Sequence, residues 1–155
     1  MTVGQDGAAR PEGQGPADET CLHATVVGVE GRAVLIRGAS GSGKSGLALQ
    51  MIALGAGLVA DDRAVIRRDG AGLIADAPDT IRGRIEARGV GLLRCPANGP
   101  MQVVLIVDLD HEEEARLPPI RYEALLGVTL PVIRKNAGAH FPAAMMTYLR
   151  HGRSD

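Results

Sequence analysis

The chain has 155 residues, of which 45% are hydrophobic and 23% are charged, and these proportions are typical of one globular domain with a core of its own. Its formal net charge is −1, so no excess of positive charge favours binding to nucleic acid or to an acidic membrane surface. Trp is absent and there are only one Phe and two Tyr, which argues against a surface that stacks nucleic-acid bases. We therefore expect neither nucleic acid nor membrane among the partners.

The first part of the chain differs in composition from the rest. Residues 1–19 are mostly Gly, Pro and polar residues without periodicity, which predicts a disordered tail before one domain at residues 20–152. The N-terminus lacks the basic and apolar regions of a signal peptide, and no run approaches the roughly 18 apolar residues of a membrane span. Cys21 and Cys95 have no metal-type spacing, so we expect two reduced thiols in a cytoplasmic protein.

The domain is predicted to begin with a β-hairpin and a helix. Two apolar runs, residues 23–29 and 32–38, flank a Glu-Gly pair, and this pattern indicates a hairpin. Residues 44–54 carry apolar side chains densely enough for a buried helix. Gly55 and Gly57 are expected to end that helix.

A short strand and a second hairpin are predicted next. Residues 58–62, LVADD, indicate a buried strand that ends in acids. Residues 64–68 and 72–77 are two short apolar runs around DGAG, which predicts a hairpin. Pro78 and Asp79 are then placed to start a short helix.

The last third is predicted to contain the central strand and a closing helix. Residues 101–110, MQVVLIVDLD, form the longest β-branched run and indicate a central strand. Residues 111–119 indicate a solvated loop, and residues 143–152 a final helix that ends at Gly152. Strands that alternate with helices predict a layered α/β domain.

The stretch between the first hairpin and the first helix, GASGSGKS, has the pattern Gly, four residues, Gly, Lys, Ser. After a strand and before a helix, this pattern predicts a P-loop, whose backbone N–H groups wrap around phosphate oxygens at a distance that only Gly allows. The helix N-terminus adds partial positive charge. Lys44 is expected to reach the β- and γ-phosphates of ATP, and the Ser45 hydroxyl to ligate Mg²⁺. The predicted phosphate-binding residues are Gly38, Ala39, Ser40, Gly41, Ser42, Gly43, Lys44 and Ser45.

Two acids, Asp61 and Asp62, follow the next predicted strand, and Asp61 comes sixteen residues after Ser45. A P-loop enzyme needs a carboxylate near Mg²⁺, commonly at the C-terminal end of a neighbouring strand. The alternative is a solvated acidic turn or an ion pair with Arg63, and the P-loop upstream favours the functional interpretation. Residues 85–93, IEARGVGLL, place charged residues before two spaced glycines and are equally compatible with a simple turn.

Together and in this order, LHATVVGVEGRAVLIRGASGSGKSGLAL, GLVADDR and IEARGVGLL resemble the catalytic domain of HPr kinase/phosphorylase. That family has a His-containing strand, a P-loop, the sequence VADD and an E-x-R-G-x-G signature, and the similarity covers about residues 22–110. The resemblance implies an α/β, P-loop NTPase-like domain with a mixed sheet flanked by helices. It also implies a homo-oligomeric kinase that uses ATP and Mg²⁺ to phosphorylate a serine of HPr, a small phosphocarrier protein. Some members of the family also remove that phosphate with inorganic phosphate.

The resemblance implies roles for individual residues. The basic aspartate of the family maps onto Asp61, which takes the proton from the serine hydroxyl during transfer and returns it in phosphorolysis. His23 stands at the position of the family histidine that lies near this aspartate, although a single His at a strand start is more often structural. The other implied positions are Lys44 as a catalytic residue, Ser45, Asp62 and Glu86 around the metal, and Arg88 as the arginine of the signature.

The chain departs from the family pattern in three places. It begins almost at the catalytic domain, as in the short form found in some proteobacteria, and Gly46 follows GKS where the family commonly has an acid. The C-terminal third matches the basic loop and closing helix of the family only loosely: the family arginine that promotes phosphate release has no clear counterpart, and Arg134 and Lys135 are the candidates for it. The missing N-terminal domain and the loosely matched C-terminal loop motivate an alternative to the kinase, a nucleotide-sensing regulatory module without turnover. A small-molecule kinase is disfavoured because no Arg-rich lid insert is evident.

Overall fold

One mixed sheet carries most of the chain, and two helices pack on one of its faces. The computed structural model describes residues 18–155, and nine of the strands in that range belong to this sheet. The helices are α1 (Lys44–Ala53) and α2 (Phe141–His151). The strands are β1 (Glu19–Leu22), β2 (Ala24–Val29), β3 (Arg32–Arg37), β4 (Gly57–Ala60), β5 (Ala64–Asp69), β6 (Gly72–Asp76), β7 (Arg84–Ala87), β8 (Gly91–Arg94), β9 (Met101–Glu112), β10 (Arg121–Leu125) and β11 (Val128–Lys135).

The longest strand, β9, lies at the centre of the sheet and has 12 residues. It pairs in parallel with β3 along one edge and with β11 along the other, and its first residues pair antiparallel with β6. The order across the sheet is β1-β5-β6-β9-β3-β2-β4, and β10 is attached through β11. The predicted central strand at residues 101–110 is confirmed, and it extends two residues into the predicted loop.

Both predicted hairpins are confirmed. β2 and β3 pair antiparallel around Glu30 and Gly31, whose φ angles of 55° and 78° are those of a two-residue turn with left-handed backbone. β5 and β6 pair with Asp69 opposite Gly72, around the predicted DGAG turn. The helix α1 also matches its prediction, and Gly55 follows it with a φ of 111°.

The segment at residues 78–94 differs from its prediction. Instead of a helix, one 3₁₀ turn at Asp79–Ile81 leads into the hairpin of β7 and β8, which forms a separate two-stranded sheet. Gly83 has a left-handed φ of 71°, which interrupts any helix at this point. After it, Ile85 and Ala87 are buried and their neighbours are exposed, which is the period of two that a strand requires.

The strands β10 and β11 lie where no strand is predicted. They pair antiparallel around Leu126 and Gly127, whose φ angles of 49° and 79° again form a tight left-handed turn. Pro131 obscures β11 in the sequence, because Pro is rare inside central strands. In the structure, pairing with β9 begins only at Val132, so Pro131 removes no hydrogen bond from that ladder.

The N-terminal boundary falls slightly earlier than predicted. Of the predicted tail, residues 1–17 lie outside the described residues, whereas Glu19 belongs to β1 and pairs with Arg67. Throughout residues 18–155, no helix is both long and apolar enough to cross a membrane.

Buried apolar side chains form one cluster on each face of the sheet. In β3, Val34 and Ile36 point to the cluster that α1 and α2 cover, whereas Ala33 and Leu35 point to the cluster on the opposite face. From Leu105 onward, β9 alternates in the same way. Because β3 is fixed between two packed layers, the loop that leaves its C-terminal end starts from a rigid position.

Candidate functional site

The loop at residues 38–45 joins β3 to α1, as predicted for a P-loop. Gly41 and Gly43 have φ angles of 82° and 102°, which residues with a side chain rarely adopt. A Cβ on either glycine would meet no atom within 4 Å, so both positions face open space. The loop therefore leaves room for a ligand above the first turn of α1, where backbone N–H groups have no partner within the helix.

Lys44 is the first residue of α1 and is 6% exposed. Its Nζ donates hydrogen bonds to the carbonyl oxygens of Gly38 (2.9 Å) and Ala39 (3.2 Å). Within residues 18–155, the ion pairs do not include this ammonium group. A nearly buried positive charge that contacts only carbonyl oxygens favours a negatively charged ligand in the loop.

The carboxylate of Asp61 is buried and fully engaged. Its Oδ1 accepts hydrogen bonds from the hydroxyls of Ser45 (2.6 Å) and Thr25 (3.1 Å). Its Oδ2 accepts the backbone N–H of Glu86 at 2.9 Å. Asp61 thus joins β2, α1 and β7 at the end of β4, and it fixes the hydroxyl that was predicted to bind the metal.

Asp62 points in a different direction from its neighbour, because its own backbone is left-handed with a φ of 69°. Its Oδ1 lies 2.7 Å from Nε2 of His23, and both side chains are more than half exposed, at 61% and 63%. Its backbone N–H donates to Thr25 Oγ1 at 3.2 Å. His23, which was expected near Asp61, thus makes its hydrogen bond with the adjacent acid, Asp62.

A cavity of about 320 Å³ opens between the loop and these acids. Asp62 lines it from the end of β4, and Glu86 and Arg88 line it from β7 and the turn that follows. Asp61 does not line the cavity but supports Ser45, which does. We call this space the phosphate cavity. Its lining residues are Ser40, Gly41, Gly43, Lys44, Ser45, Gly46, Leu49, Asp62, Glu86 and Arg88.

The residues around the phosphate cavity fit a Mg²⁺–nucleotide complex. Over residues 18–155, the structure contains no group of three His, Cys, Asp or Glu side chains that could hold a metal ion on their own. Mg²⁺ usually takes only one or two carboxylates and completes its shell with phosphate oxygens and water. Ser45 and the two carboxylates that line the cavity, Asp62 and Glu86, can supply such a partial set, and Asp61 holds the Ser45 hydroxyl in place. Ser42 Oγ, enclosed in the same loop, lacks a hydrogen-bond partner among the described residues.

Two residues of this region were not predicted as functional. Thr25 is fully buried in β2, and its hydroxyl contacts both acids, donating to Asp61 and accepting from the Asp62 N–H. Asp110, near the end of β9, accepts the N–H of Ala39 at 2.9 Å and so fixes the start of the loop. A single threonine in an apolar strand gives no sequence signal, whereas the acids that follow VVLIV could have suggested a role for the end of β9.

An ionic cluster lies at the carboxyl ends of β3 and β9, next to the loop. The guanidinium of Arg37 donates hydrogen bonds to both carboxylate oxygens of Glu123. Its Nη2 also lies 3.5 Å from Oδ2 of Asp108. Burial alone would raise the pKa of the Asp108 carboxyl, but hydrogen bonds from the Asp110 N–H and His111, together with the Arg37 charge, hold this pKa below its usual value. The hydrogen bond from Arg37 likewise lowers the pKa of Glu123. The cluster ties β10 to β3 beside Gly38.

The predicted C-terminal candidates lie elsewhere. Arg134 and Lys135 are at the end of β11, where a register shift separates them, and neither lines the phosphate cavity. The structure therefore does not bring them together with Asp62.

Known proteins resemble this chain in sequence. A family model described as HPr Serine kinase C-terminal domain matches residues 15–113. The HPr kinase/phosphorylase of Enterococcus faecalis is 32% identical over 158 residues, which cover 85% of this chain and 51% of that protein. The HPr kinase/phosphorylase of Bordetella pertussis is 45% identical over 78 residues, which cover 50% of this chain and 25% of that protein. The chain thus spans about half the length of the Enterococcus protein.

Comparison with solved structures points to the same family as the sequence comparisons. A solved structure of the Hpr(Ser) kinase/phosphatase from Coxiella burnetii aligns with a TM-score of 0.73 and 26% identity, over 84% of this chain and 94% of that chain. The predicted P-loop NTPase-like domain, with a mixed sheet and helices, is confirmed as the fold. Since the family model covers more than half of the sequence, the chain belongs to the HPr serine kinase C-terminal domain family.

Proposed function

We propose that this chain is an ATP-dependent protein-serine kinase whose substrate is an HPr-type phosphocarrier protein. The names of its relatives supply the substrate class. The observation that carries the proposal is the pairing of Asp62 with His23 beside the cavity that Lys44 and Ser45 line. Phosphoryl transfer needs this combination, because it depends on positioned phosphates, a metal ion and one group that accepts the hydroxyl proton.

The loop at residues 38–45 is proposed to hold the triphosphate of ATP. Lys44 would exchange its two carbonyl contacts for the β- and γ-phosphates, and Ser45 would bind Mg²⁺. The metal ion, when bound, neutralises negative charge that develops during transfer. Asp61 keeps the Ser45 hydroxyl aligned, and Glu86 adds a carboxylate to the wall of the cavity.

We assign the proton transfer to Asp62 and the support of the metal site to Asp61, the reverse of the roles that the family resemblance suggested. Both oxygens of Asp61 already accept hydrogen bonds, and its residue is only 8% exposed. Asp62 is open to an incoming serine hydroxyl, and among the described residues its carboxylate contacts only His23. Asp62 accepts the proton as the serine oxygen bonds to the γ-phosphorus of ATP and the bond from that phosphorus to the bridging oxygen breaks, which releases ADP. In phosphorolysis an oxygen of inorganic phosphate bonds to the phosphorus of the phosphoserine, the bond to the serine oxygen breaks, Asp62 returns the proton to that oxygen, and pyrophosphate leaves.

Arg88 is proposed to contact the transferred phosphoryl group. It lines the phosphate cavity on the side opposite the loop, two residues after Glu86. A guanidinium at this position stabilises the charge on the phosphoryl oxygens in the transition state.

The cellular setting is also a proposal. We propose a cytoplasmic homo-oligomer that binds neither nucleic acid nor membrane, as the charge balance and the resemblance to the family suggest. Exposed apolar side chains on the β7–β8 hairpin, before β10 and in β10 itself offer contact surfaces for such an assembly. They are Val90, Leu92, Leu117, Ile120 and Tyr122.

The test is transfer of ³²P from γ-labelled ATP to a purified HPr-type carrier, with and without Mg²⁺. We expect metal-dependent label on a serine of the carrier. The Asp62→Asn variant should transfer at least about 10²-fold more slowly, the usual scale for loss of a general base. Asp69→Asn, which changes an exposed acid at the end of β5, is the matched control and should behave as wild type. If the wild-type chain binds ATP but transfers nothing, the nucleotide-sensing module is the correct function.

A further inference from the structure

The first two residues of the loop at residues 38–45 lie against the end of β9. A Cβ on Gly38 would come within 3.1 Å of the Leu109 Cβ and 2.5 Å of the Ser42 hydroxyl oxygen, so this glycine fits closely between the two side chains. The next residue, Ala39, donates its N–H to Oδ1 of Asp110 at 2.9 Å. The start of the loop is therefore attached to β9 by packing and by one hydrogen bond.

Ala39 is the residue through which this attachment reaches the rest of the loop. Its carbonyl oxygen accepts the N–H of Ser42 at 3.0 Å, which closes a turn, and a hydrogen bond from Nζ of Lys44 at 3.2 Å. Its N–H donates to Asp110, so one residue joins β9, the turn and the ammonium group. A shift of Ala39 would therefore displace both the turn and Lys44.

The residue that holds Ala39 is itself well supported, although it is exposed. The N–H of Asp110 donates to Oδ1 of Asp108 at 2.9 Å, and Oδ2 of Asp108 lies 2.7 Å from Nδ1 of His111. Asp108 is only 6% exposed, and it pairs in register with Arg37, the last residue of β3 before the loop. The end of β9 thus presents the Asp110 carboxylate to the loop from a buried support.

The middle of the loop, in contrast, has little that would hold it in place without a ligand. A Cβ on Gly41 or on Gly43 would meet no atom within 4 Å, and glycines have more backbone freedom than other residues. If the loop were free to move, the binding of phosphates would have to order it, and the affinity would fall accordingly. An attachment that keeps the loop in one conformation before binding avoids that loss.

We propose that Asp110 is a positioning residue for the binding of phosphates. By holding Ala39, it keeps the loop open and Lys44 in place before the ligand arrives. Asp110 does not line the phosphate cavity, so it acts through the loop and not by contact with the ligand. The inference rests on the proposed nucleotide-dependent function, because it concerns the affinity of the same loop for ATP.

The experiment separates the hydrogen-bond acceptor of Asp110 from its charge. Asp110→Ala removes both, whereas Asp110→Asn removes the charge but keeps an oxygen that can accept the Ala39 N–H. Glu114→Ala, at an exposed position of the segment that follows β9, is the matched control. Binding of ATP and of inorganic tripolyphosphate to the full-length chain is measured by calorimetry in Mg²⁺, and phosphoryl transfer is measured over a range of ATP concentrations.

We expect Asp110→Ala to weaken the binding of both ligands at least about tenfold, because the lost hydrogen bond has a charged acceptor. The KM for ATP should rise by a similar factor, whereas kcat should stay within about threefold of wild type, because the groups in the phosphate cavity are unchanged. Asp110→Asn should bind both ligands within about threefold of wild type. Glu114→Ala should change neither binding nor transfer.

Hydrogen exchange gives a second readout on the ligand-free chain. The amide of Ala39, followed by nuclear magnetic resonance, should exchange at least about tenfold faster in Asp110→Ala and close to the wild-type rate in Asp110→Asn. The midpoint of urea unfolding should be the same for wild type and both variants, because the hydrogen bond is exposed. A lower midpoint in Asp110→Ala, with kcat falling as much as KM rises, would show a general structural role and would overturn the proposal.

The remaining outcomes are also decisive. ATP binding by Asp110→Ala at wild-type strength would overturn the proposal, and so would equal weakening in the two Asp110 variants. Tighter binding by both variants would show that Asp110 acts only as a negative charge that repels phosphates. If the wild-type chain binds neither ATP nor tripolyphosphate, the proposed function fails and this inference fails with it. If wild type and Asp110→Ala bind both ligands equally well, only the role of Asp110 is wrong.

Discussion

Nε2 of His23 lies 2.7 Å from Oδ1 of Asp62, although the two residues are 39 positions apart in the chain. The contact links the start of β2 to the end of β4, and it is open to solvent on both side chains. An exposed contact of this kind adds little to the free energy of unfolding. We expect the contact to act on catalysis instead, because the imidazole of His23 orients the carboxylate of Asp62. His23→Gln should therefore slow phosphoryl transfer by at least about tenfold, while the midpoint of urea unfolding stays within error of wild type.

The two adjacent acids are expected to fail in different ways. Asp61→Asn removes the charge next to Ser45, so it should weaken Mg²⁺-dependent binding of a fluorescent ATP analogue. Asp62→Asn should keep that binding and lose transfer. Titration of each variant with and without Mg²⁺ distinguishes the two defects. The opposite pattern, metal-dependent binding lost in Asp62→Asn and transfer lost in Asp61→Asn, would return the roles to those implied by the resemblance.

The hydroxyl of Thr25 is expected to stabilise the folded chain through its hydrogen bonds to Asp61 and Asp62. Thr25→Val keeps the shape of the side chain but removes one of the three donors to the Asp61 carboxylate and leaves the Asp62 N–H without its acceptor. Groups left unpaired in a buried position cost about 1–3 kcal/mol in free energy of unfolding, which urea titration can measure. Thr25→Ser should lose much less because it retains the hydroxyl. Thr129→Val, at an exposed position of β11, is the control and should be nearly neutral.

The ionic cluster around Arg37 predicts a pH dependence of stability. The pKa values of Asp108 and Glu123 are lowered in the folded chain, so the unfolded chain binds more protons in acid. The stabilisation is thus complete above the ordinary carboxyl pKa of about 4 and disappears as the pH falls through the lower folded values. Glu123→Gln should flatten the fall in the free energy of unfolding between pH 5 and pH 2.

The control for this pH effect is Glu112→Gln, at an exposed position of β9 without an ion pair among the described residues. It should leave the acid slope as in wild type. The side chain of Glu123 is about 39% exposed, so solvent screens its ion pair with Arg37. We therefore expect the free energy of unfolding at pH 7 to be only about 1 kcal/mol higher for the wild type than for Glu123→Gln. Equal slopes for wild type and Glu123→Gln would show that the Arg37 cluster does not govern the acid behaviour.

Lys44→Met should separate ligand binding from folding. The Nζ of Lys44 contacts only two carbonyls of its own loop, so the variant should unfold at nearly the wild-type urea concentration. The rate of phosphoryl transfer should fall by about 10²-fold or more, because the variant removes the positive charge of Lys44 that stabilises the transferred phosphoryl group. Activity at the wild-type rate would contradict the assignment of the loop.

The features that the sequence predicts well are those that neighbouring residues determine. The loop at residues 38–45 needs its glycines in place, and the β2–β3 turn follows from Glu30–Gly31 between two apolar runs. The β7–β8 and β10–β11 hairpins were missed because distant contacts decide them. Ile85 alternates with exposed residues only because it packs under α1, and β11 is a strand because β9 lies beside it.

The roles of the two acids could not be read from the sequence either. Asp61 and Asp62 are chemically identical and adjacent, and the difference between them arises from one backbone angle, the φ of 69° at Asp62. That angle turns the second carboxylate away from Ser45 and toward His23. Nothing in the letters VADD specifies it.

The parallel pairing of β3 with β9 has a consequence for biosynthesis. β3 ends at Arg37, whereas β9 begins at Met101, so the nascent chain carries β3 with only β2 beside it until β9 has left the ribosome. An unpaired strand edge that contains Val34, Leu35 and Ile36 can pair with other chains during that interval. Changes that delay the docking of β9 will therefore lower the yield of folded protein in cells even when they leave its final stability and its ligand site untouched.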